Sequence, residues 1–325
     1  MYLCLVLLGI TAILSILLLL LYFRIADRYN IIDKPNERSS HSQLTIRGGG
    51  VIFPVFFVLG IIEYGLNVSG FNQHLSLVIG VLIMSFVSFY DDVKPLKPII
   101  RILFQTFAVS LMVVTQDTGV VIWVVGFILV TGTINAYNFM DGINGITALY
   151  SLIALGTLYA MGSLGYSISQ PKEVLLHLMI AVLAFGFFNI RKKARCFSGD
   201  VGAVSLAFII CYNVFDISVH QGNPVYILFL GIYGLDAVAT IVLRLKRRED
   251  IFKPHRTHFY QYLANEMGWS HTRVSLLYAI MQLCVNVLVL YHMPLGIALY
   301  LIIVFVYIFL RIRLQGSKLW TVNSA

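Results

Sequence analysis

The chain has 325 residues, of which 59% are hydrophobic and 12% charged, with a net charge of +8. Soluble domains carry about 25% charged residues, so a soluble helical protein with a greasy core is excluded. The basic excess sits in short loops between apolar segments, which points to anionic lipid headgroups and phosphorylated substrates and away from nucleic acid.

A membrane-spanning helix needs about 20 mostly apolar residues, or somewhat fewer where flanking side chains snorkel. Eleven such runs lie at roughly 2–23, 48–66, 74–90, 99–114, 120–136, 146–163, 174–190, 201–219, 225–243, 274–291 and 294–311. The first lacks a basic leading region and a small-residue cleavage site and is followed by Arg24 and Asp27, so it reads as an uncleaved span. Of the 23 Lys and Arg residues, 22 fall in alternate gaps or the tail, and the remaining gaps hold only Lys172. Basic loops stay in the cytoplasm. The expected fold is therefore an all-α polytopic membrane protein of about 11 transmembrane helices, N-terminus outside and C-terminus cytoplasmic. With no composition break, residues 1–325 read as a single transmembrane domain, its dense polar sequence confined to cytoplasmic loops 24–50, 91–98, 137–145, 191–200 and 244–273. The cysteines (Cys4, Cys196, Cys211, Cys284) are scattered without metal-like spacing, which speaks against a disulfide or a zinc site.

In chain order, Glu63 falls near the outer end of the second span, where a carboxylate can snorkel to water. Asp91-Asp92 end the third span. Two adjacent carboxylates at a membrane boundary repel unless a cation neutralises them, and Mg²⁺ with attached phosphates meets that need. The run Asn135-Ala136-Tyr137-Asn138-Phe139-Met140-Asp141-Gly142-Ile143-Asn144-Gly145 sets two glycines among amide and acid side chains. That is a tight turn able to present several donors and acceptors to one ligand. Phe188-Asn189, a basic run to Arg195, and Phe197-Ser198-Gly199-Asp200 lead into the eighth span, where Asp200 fits either a helix cap or a metal ligand. Asp216 reads as a second peripheral carboxylate. Asp236, eight residues before Arg244 on a descending helix, is an open candidate for the site. The loop Lys253-Pro254-His255-Arg256-Thr257-His258-Phe259-Tyr260-Gln261 offers a His-x-x-His grip with an intervening Arg for phosphate or sugar, with too few ligands for zinc.

Taken in order, these pieces resemble the polyprenyl-phosphate N-acetylhexosamine-1-phosphate transferases, a glycosyltransferase family that starts bacterial cell-surface polysaccharides. The resemblance takes in Arg38-Ser39-Ser40-His41, Thr45-Ile46-Arg47-Gly48-Gly49-Gly50, Asp91-Asp92, the 135–145 run, Phe188-Asn189, Phe197-Ser198-Gly199-Asp200 and His255-Arg256-Thr257-His258. It implies catalytic roles for Asp91 and Asp92 beside the metal and the lipid phosphate, with Asp200 and Asp92 toward Mg²⁺, Mn²⁺ being the alternative ion. It implies a nucleotide group of Asn138, Asp141, Asn144 and Asn189, and a sugar and phosphate group of His255, Arg256 and His258, to which Arg47 and Arg101 add positive charge. The implied partners are a UDP-N-acetylhexosamine, undecaprenyl phosphate and the lipid bilayer of the bacterial inner membrane, with no nucleic acid and with room for a homodimer. The chain departs from the family at Leu44, Ile46 and Lys193, where prolines are usual, at Ser198, often Met, and at Asn144, often a second Asp. Two histidines in the inner loop, where several relatives have three, leave the sugar open. UDP-GlcNAc is the first expectation, with UDP-FucNAc or UDP-QuiNAc second and a muramyl-pentapeptide donor disfavoured.

Two other classes compete. A transporter or lipid flippase predicts inverted repeats and discontinuous mid-membrane helices, neither visible in the sequence. A CDP-alcohol phosphotransferase needs an Asp-Gly-Ala-Arg pattern, whereas the Asp-Gly here continues into Ile-Asn-Gly.

Overall fold

The computed structural model describes residues 2–35, 40, 43–67, 71–114, 116, 118–251 and 255–316. Arg38, Ser39, His41, Lys253 and Pro254 of the motifs above lie outside the described residues. The helices are α1 (Tyr2–Tyr29), α2 (Ile52–Asn67), α3 (Phe71–Val93), α4 (Pro98–Val114), α5 (Val120–Met140), α6 (Ile146–Ser163), α7 (Lys172–Asn189), α8 (Gly199–His220), α9 (Gly231–Lys246), α10 (Phe259–Asn265), α11 (His271–Tyr291) and α12 (Met293–Gln315). Ten helical segments are long and apolar enough to cross a membrane, and α4 is a shorter apolar helix, so the eleven expected spans all have counterparts.

The bundle is built around α8. Of its apolar stretch 89% is buried, against 11% for α12 and 28% for α1. Helices α3, α5, α2 and α6 pack on it directly, with α7 against α1, α2 and α6, and α11 against α6 and α12. This explains why α8 alone is apolar on all sides yet shielded from lipid, whereas α1 and α12 present leucines and isoleucines outward. The sequence's small residues allow the close approach. A Cβ on Gly50, at the start of the second span, would collide with the Gly202 backbone of α8.

One expectation is corrected. The ninth span is discontinuous, a 3-10 turn over Pro224–Leu230 giving way to α9. A break in a bilayer must have its freed backbone groups satisfied by neighbouring side chains. Gln282 of α11 accepts from Ile232 N (2.9 Å) and donates to Leu228 O (2.8 Å), while the Tyr150 hydroxyl accepts from Tyr233 N at 3.2 Å. Hydropathy averages do not register such a break. Asp216 is also not a solvated peripheral carboxylate. It is 1% exposed and accepts from Ser169 N at 3.2 Å. Glu63 is half-open and meets His177 Nε2 at 2.7 Å, whose other nitrogen contacts Thr11.

Between α1 and α2 the chain forms β1 (Ile32–Asp33) paired antiparallel with β2 (Thr45–Ile46). Ile46 O accepts from Phe197 N at 2.8 Å, Phe197 O from Gly49 N at 2.8 Å, and Ser198 O from Gly50 N at 2.9 Å. The 24–50 and 191–200 loops are thereby zipped together. Arg47 is carried to the mouth of α8.

Candidate active site

Asp92 sits on the last turn of α3 with a fully buried side chain, facing the N-terminus of α8. A helix start leaves unpaired N–H groups and a partial positive charge, which a carboxylate satisfies. Asp92 Oδ1 accepts from Asp200 N (2.9 Å) and from Arg47 Nε (2.7 Å), and Oδ2 from Val201 N (3.0 Å). The carboxylate that caps α8 is thus a distant one, and Asp200, in the first turn, is left with its own oxygens turned to cations. The geometry needs glycine at 199, where φ is +71° and a Cβ would run into Asp92 Oδ2 and come within 2.8 Å of Gly48 Cα.

Around this cap an ion lattice forms. Arg47 Nη2 reaches Asp200 Oδ1 at 3.2 Å. Arg101, on the first turn of α4, donates to Asp91 Oδ2 at 2.9 Å and stands 3.6 Å from Asp200 Oδ2. Asp91 Oδ1 accepts from Leu96 N at 2.5 Å, which ties down the turn into α4. Although burial opposes its charge, Asp92 and Asp200 raise the pKa of Arg47 above the ordinary guanidinium value. Asp91 and Asp200 face the same Arg101 nitrogen, at 2.9 and 3.6 Å, two carboxylates on one guanidinium, a placement that favours a further cation.

Asp141 closes α5. It accepts from Thr147 Oγ1 at 2.5 Å and from the Ser198 hydroxyl, and burial pushes its pKa up against those two hydrogen bonds. A cleft of about 270 Å³ is lined by Asp33, Arg47, Asn138, Asp141, Asp200 and Gln261, among others. Asn189 borders it too, yet both ends of its amide are engaged, with Oδ1 accepting from Gly145 N (2.7 Å) and Nδ2 donating to Cys196 O (2.9 Å). Asn144 donates to Arg191 O at 2.8 Å and does not line the cleft. These two amides brace the turn and the 191–200 loop.

The His255–His258 segment is placed differently. Neither histidine nor Arg256 lines the cleft. The rings of His255 and His258 stack with centroids 5.0 Å apart, each 6.3 Å from the ring of Phe139. Burial first, then His258 and Arg244, push the His255 imidazole down to about 3, so it is neutral at physiological pH. Asp236 belongs to this segment rather than to the carboxylate lattice. It is 0% exposed and accepts from His258 Nδ1 (3.3 Å), Phe259 N (3.0 Å), Tyr260 N (3.1 Å) and Tyr278 OH (2.5 Å). Arg311 of α12 adds a hydrogen bond to Thr257 O at 2.8 Å. Arg247, just past the end of α9, is paired with Glu249 at 3.4 Å.

A metal can be tested against this donor set. Among the described residues no three His, Cys, Asp or Glu side chains converge as a cage. Mg²⁺ needs only one or two carboxylates when phosphates and water complete its octahedron. Asp91 and Asp200, whose oxygens gather about Arg101, suit that requirement, whereas Asp92 already accepts three hydrogen bonds.

Fold and site together define a polytopic membrane enzyme with an aspartate–arginine cluster at one end of its bundle. The profile of Glycosyl transferase family 4 matches residues 74–218, a stretch that carries Asp91, Asp92, Asp141 and Asp200. A probable undecaprenyl-phosphate N-acetylglucosaminyl 1-phosphate transferase of Bacillus subtilis (strain 168) is 25% identical over 279 residues, 78% of this chain and 75% of that one. The undecaprenyl-phosphate alpha-N-acetylglucosaminyl 1-phosphate transferases of Escherichia coli (strain K12) and Yersinia pestis are 26% and 24% identical, over 74% and 73% of this chain and 72% and 70% of theirs. The family match over residues 74–218 and the likeness to these relatives over about three quarters of the chain indicate a glycosyl-1-phosphate transferase.

Proposed function

We propose that the protein transfers N-acetylhexosamine-1-phosphate from a UDP-sugar, UDP-GlcNAc first, to undecaprenyl phosphate on the cytoplasmic face of the bacterial inner membrane. The products are undecaprenyl-diphosphate-HexNAc and UMP, in the first membrane step of a cell-surface polysaccharide. The observation that carries this reading is the Arg47–Asp92–Asp200–Arg101–Asp91 lattice at the membrane-boundary ends of α3, α4 and α8. A lipid-borne phosphate and a water-borne nucleotide-sugar can meet only at such a boundary. The 22-to-1 split of basic residues supports the cytoplasmic side, and the names of the relatives support the reactants.

The nucleophile is a phosphate monoester with a second pKa near about 6, so it is largely a dianion at neutral pH. Its oxygen attacks the β-phosphorus, the bond to the bridging α–β oxygen breaks, and the electron pair leaves on UMP. A strong base is not required. The task is to bring the dianion to a diphosphate, and Arg47 and Arg101 orient and neutralise the phosphates. Mg²⁺ held by Asp200 and Asp91 would supply the remaining positive charge. Asp92 fixes Arg47 and the start of α8, which sets where Asp200 points. Asp141 and Asn138, bordering the cleft, suit the nucleotide-sugar.

Purified protein incubated with undecaprenyl phosphate, Mg²⁺ and a panel of UDP-GlcNAc, UDP-FucNAc, UDP-QuiNAc and UDP-glucose, scored for UMP release, tests class and donor together. UMP release with none of them would refute the reading.

A further inference from the structure

We infer that Gln261 is a donor-recognition residue whose carboxamide pairs with an amide edge, N–H beside C=O, on the nucleotide-sugar; this rests on the reaction proposed above. Gln261 lies on α10, three residues beyond His258 at the end of the 253–261 polar run, and among the described residues it is where that run reaches the cleft shared by Asn138, Asp141, Arg47 and Asp200. It is 8% exposed, and among the described residues its Oε1 has no hydrogen-bond partner. Burying an unpaired carbonyl oxygen is unfavourable. A carbonyl that borders a polar cleft recovers its hydrogen bond when a ligand N–H arrives.

The position of Gln261 is imposed from several directions. Asp236 accepts from the backbone amides of Phe259 and Tyr260 (3.0 and 3.1 Å), which pins the first turn of α10 to α9. The Tyr260 hydroxyl donates to Phe139 O at 2.9 Å, so α10 is also pinned to the end of α5 beside Asn138. Gly142 completes the seat. A Cβ there would collide with the Tyr260 hydroxyl and come within 3.2 Å of Gln261 Nε2, so the Asp141-Gly142 turn is bare where the carboxamide lies. The held carboxamide is neutral and offers one acceptor and two donors. Its carbonyl oxygen would repel a phosphate, and the cleft's phosphate-seeking groups are Arg47 and its neighbours. An amide edge is the complement of a carboxamide. A UDP-N-acetylhexosamine carries two, the uracil imide and the acetamido group.

The experiment uses the full-length enzyme with undecaprenyl phosphate and Mg²⁺, comparing wild type with Gln261→Ala and with Gln261→Met, which keeps the side chain's bulk. Thermal denaturation identifies any variant whose fold is disturbed, and the kinetic comparison uses the one that matches wild type. We expect the KM for UDP-GlcNAc to rise about tenfold, the loss of one or two neutral hydrogen bonds, with kcat within about threefold and the KM for undecaprenyl phosphate unmoved. Two arms separate the sources. If the acetamido group is the partner, the preference for UDP-GlcNAc over UDP-glucose narrows; if the uracil is, the preference for inhibition by UMP over CMP narrows, since cytosine lacks the N3–H. An unmoved donor KM in a folded variant, or a raised one with both preferences intact, overturns the assignment while wild-type turnover leaves the reaction standing. Failure of the wild type to release UMP from any UDP-sugar overturns the reaction and this inference together.

Discussion

Replacing Asp92 with Asn separates its two duties, holding the fold and preparing the site. The side chain is fully buried and accepts three hydrogen bonds, from Arg47 Nε, Asp200 N and Val201 N at 2.7, 2.9 and 3.0 Å. An Asn retains one carbonyl oxygen, which can face Arg47 and Asp200. Its NH₂ then confronts Val201 N–H, donor against donor, at a cost of about 1–3 kcal/mol for the unsatisfied amide. Arg47 also loses a buried partner, a change typically costing about 3–5 kcal/mol, here moderated because Arg47 is one-third exposed and keeps Asp200 at 3.2 Å. The combined expectation is about 3–4 kcal/mol, or a fall in Tm of roughly 5–10 °C by the usual scaling, measured by thermal denaturation of purified protein in detergent. Asp200→Asn is the control. Among the described residues Asp200 accepts no backbone amide, and its side chain is 18% exposed, so stability should move by less than about 1 kcal/mol, while on the proposed reaction turnover is lost with the residue that would hold Mg²⁺. Neither variant should recover activity as pH is raised, because the attacking phosphate is already a dianion. An Asp92→Asn protein with a wild-type Tm would refute the capping argument, and one rescued to near wild-type rate at high pH would make Asp92 a general base.

Asp236→Asn should cost about 3 kcal/mol or more, since its amide would face a cluster of donors, and should speed tryptic cleavage at Arg256; unchanged cleavage kinetics would mean that Asp236 does not anchor the loop. Single cysteines at Lys97 and Ser167 in a cysteine-free background, both exposed positions, should react respectively only with membrane-permeant and also with impermeant thiol reagents in intact cells, and the reverse would invert the topology. His255 is held at about 3, below its unfolded value near 6.5, by burial and then by His258 and Arg244. Below about pH 6.5 the unfolded chain binds the proton that the native state refuses, so its contribution is intact above that value and lost as pH falls from 6.5 toward 3. The drop in Tm between pH 7 and pH 5 should therefore be smaller in His255→Gln, and an equal drop in both proteins would show that His255 is not the group responsible.

The spans were legible because a twenty-residue apolar run leaves a strong local signal, and the acidic pair, the Asp-Gly turn and Asp200 were legible because each is polar sequence beside such a run. What escaped is what depends on partners distant in sequence. Asp92 as the cap of α8 joins positions 108 residues apart, and nothing local to Asp200 reveals that its helix is capped from another span. Asp236 was visible as an anomaly, a carboxylate inside a descending helix, but its role follows only once Phe259, Tyr260 and Tyr278 are folded around it. The break before Gly231 left Gln282 as its trace, an amide with no apolar reason to sit in α11. Gln261 closes the 253–261 polar run, but the run reads as a loop, and only the short helix α10 shows which of its side chains is carried to the cleft.

The lattice also explains why acidic residues predominate at a place meant for phosphates. Among the described residues, three aspartates, Asp91, Asp92 and Asp200, are matched by two arginines, Arg47 and Arg101, which leaves that set with a deficit of positive charge. Two arginines held only by backbone groups would trap a diphosphate tightly and release UMP slowly. Arginines already paired with carboxylates offer the phosphates a smaller net gain, because each new contact weakens an existing one. On the proposed reaction, Mg²⁺ held by Asp91 and Asp200 beside Arg101 would supply the missing positive charge, which would make phosphate affinity conditional on the metal. Asp92, shut away from solvent and satisfied by the first turn of α8, keeps Arg47 and Asp200 in register through that exchange.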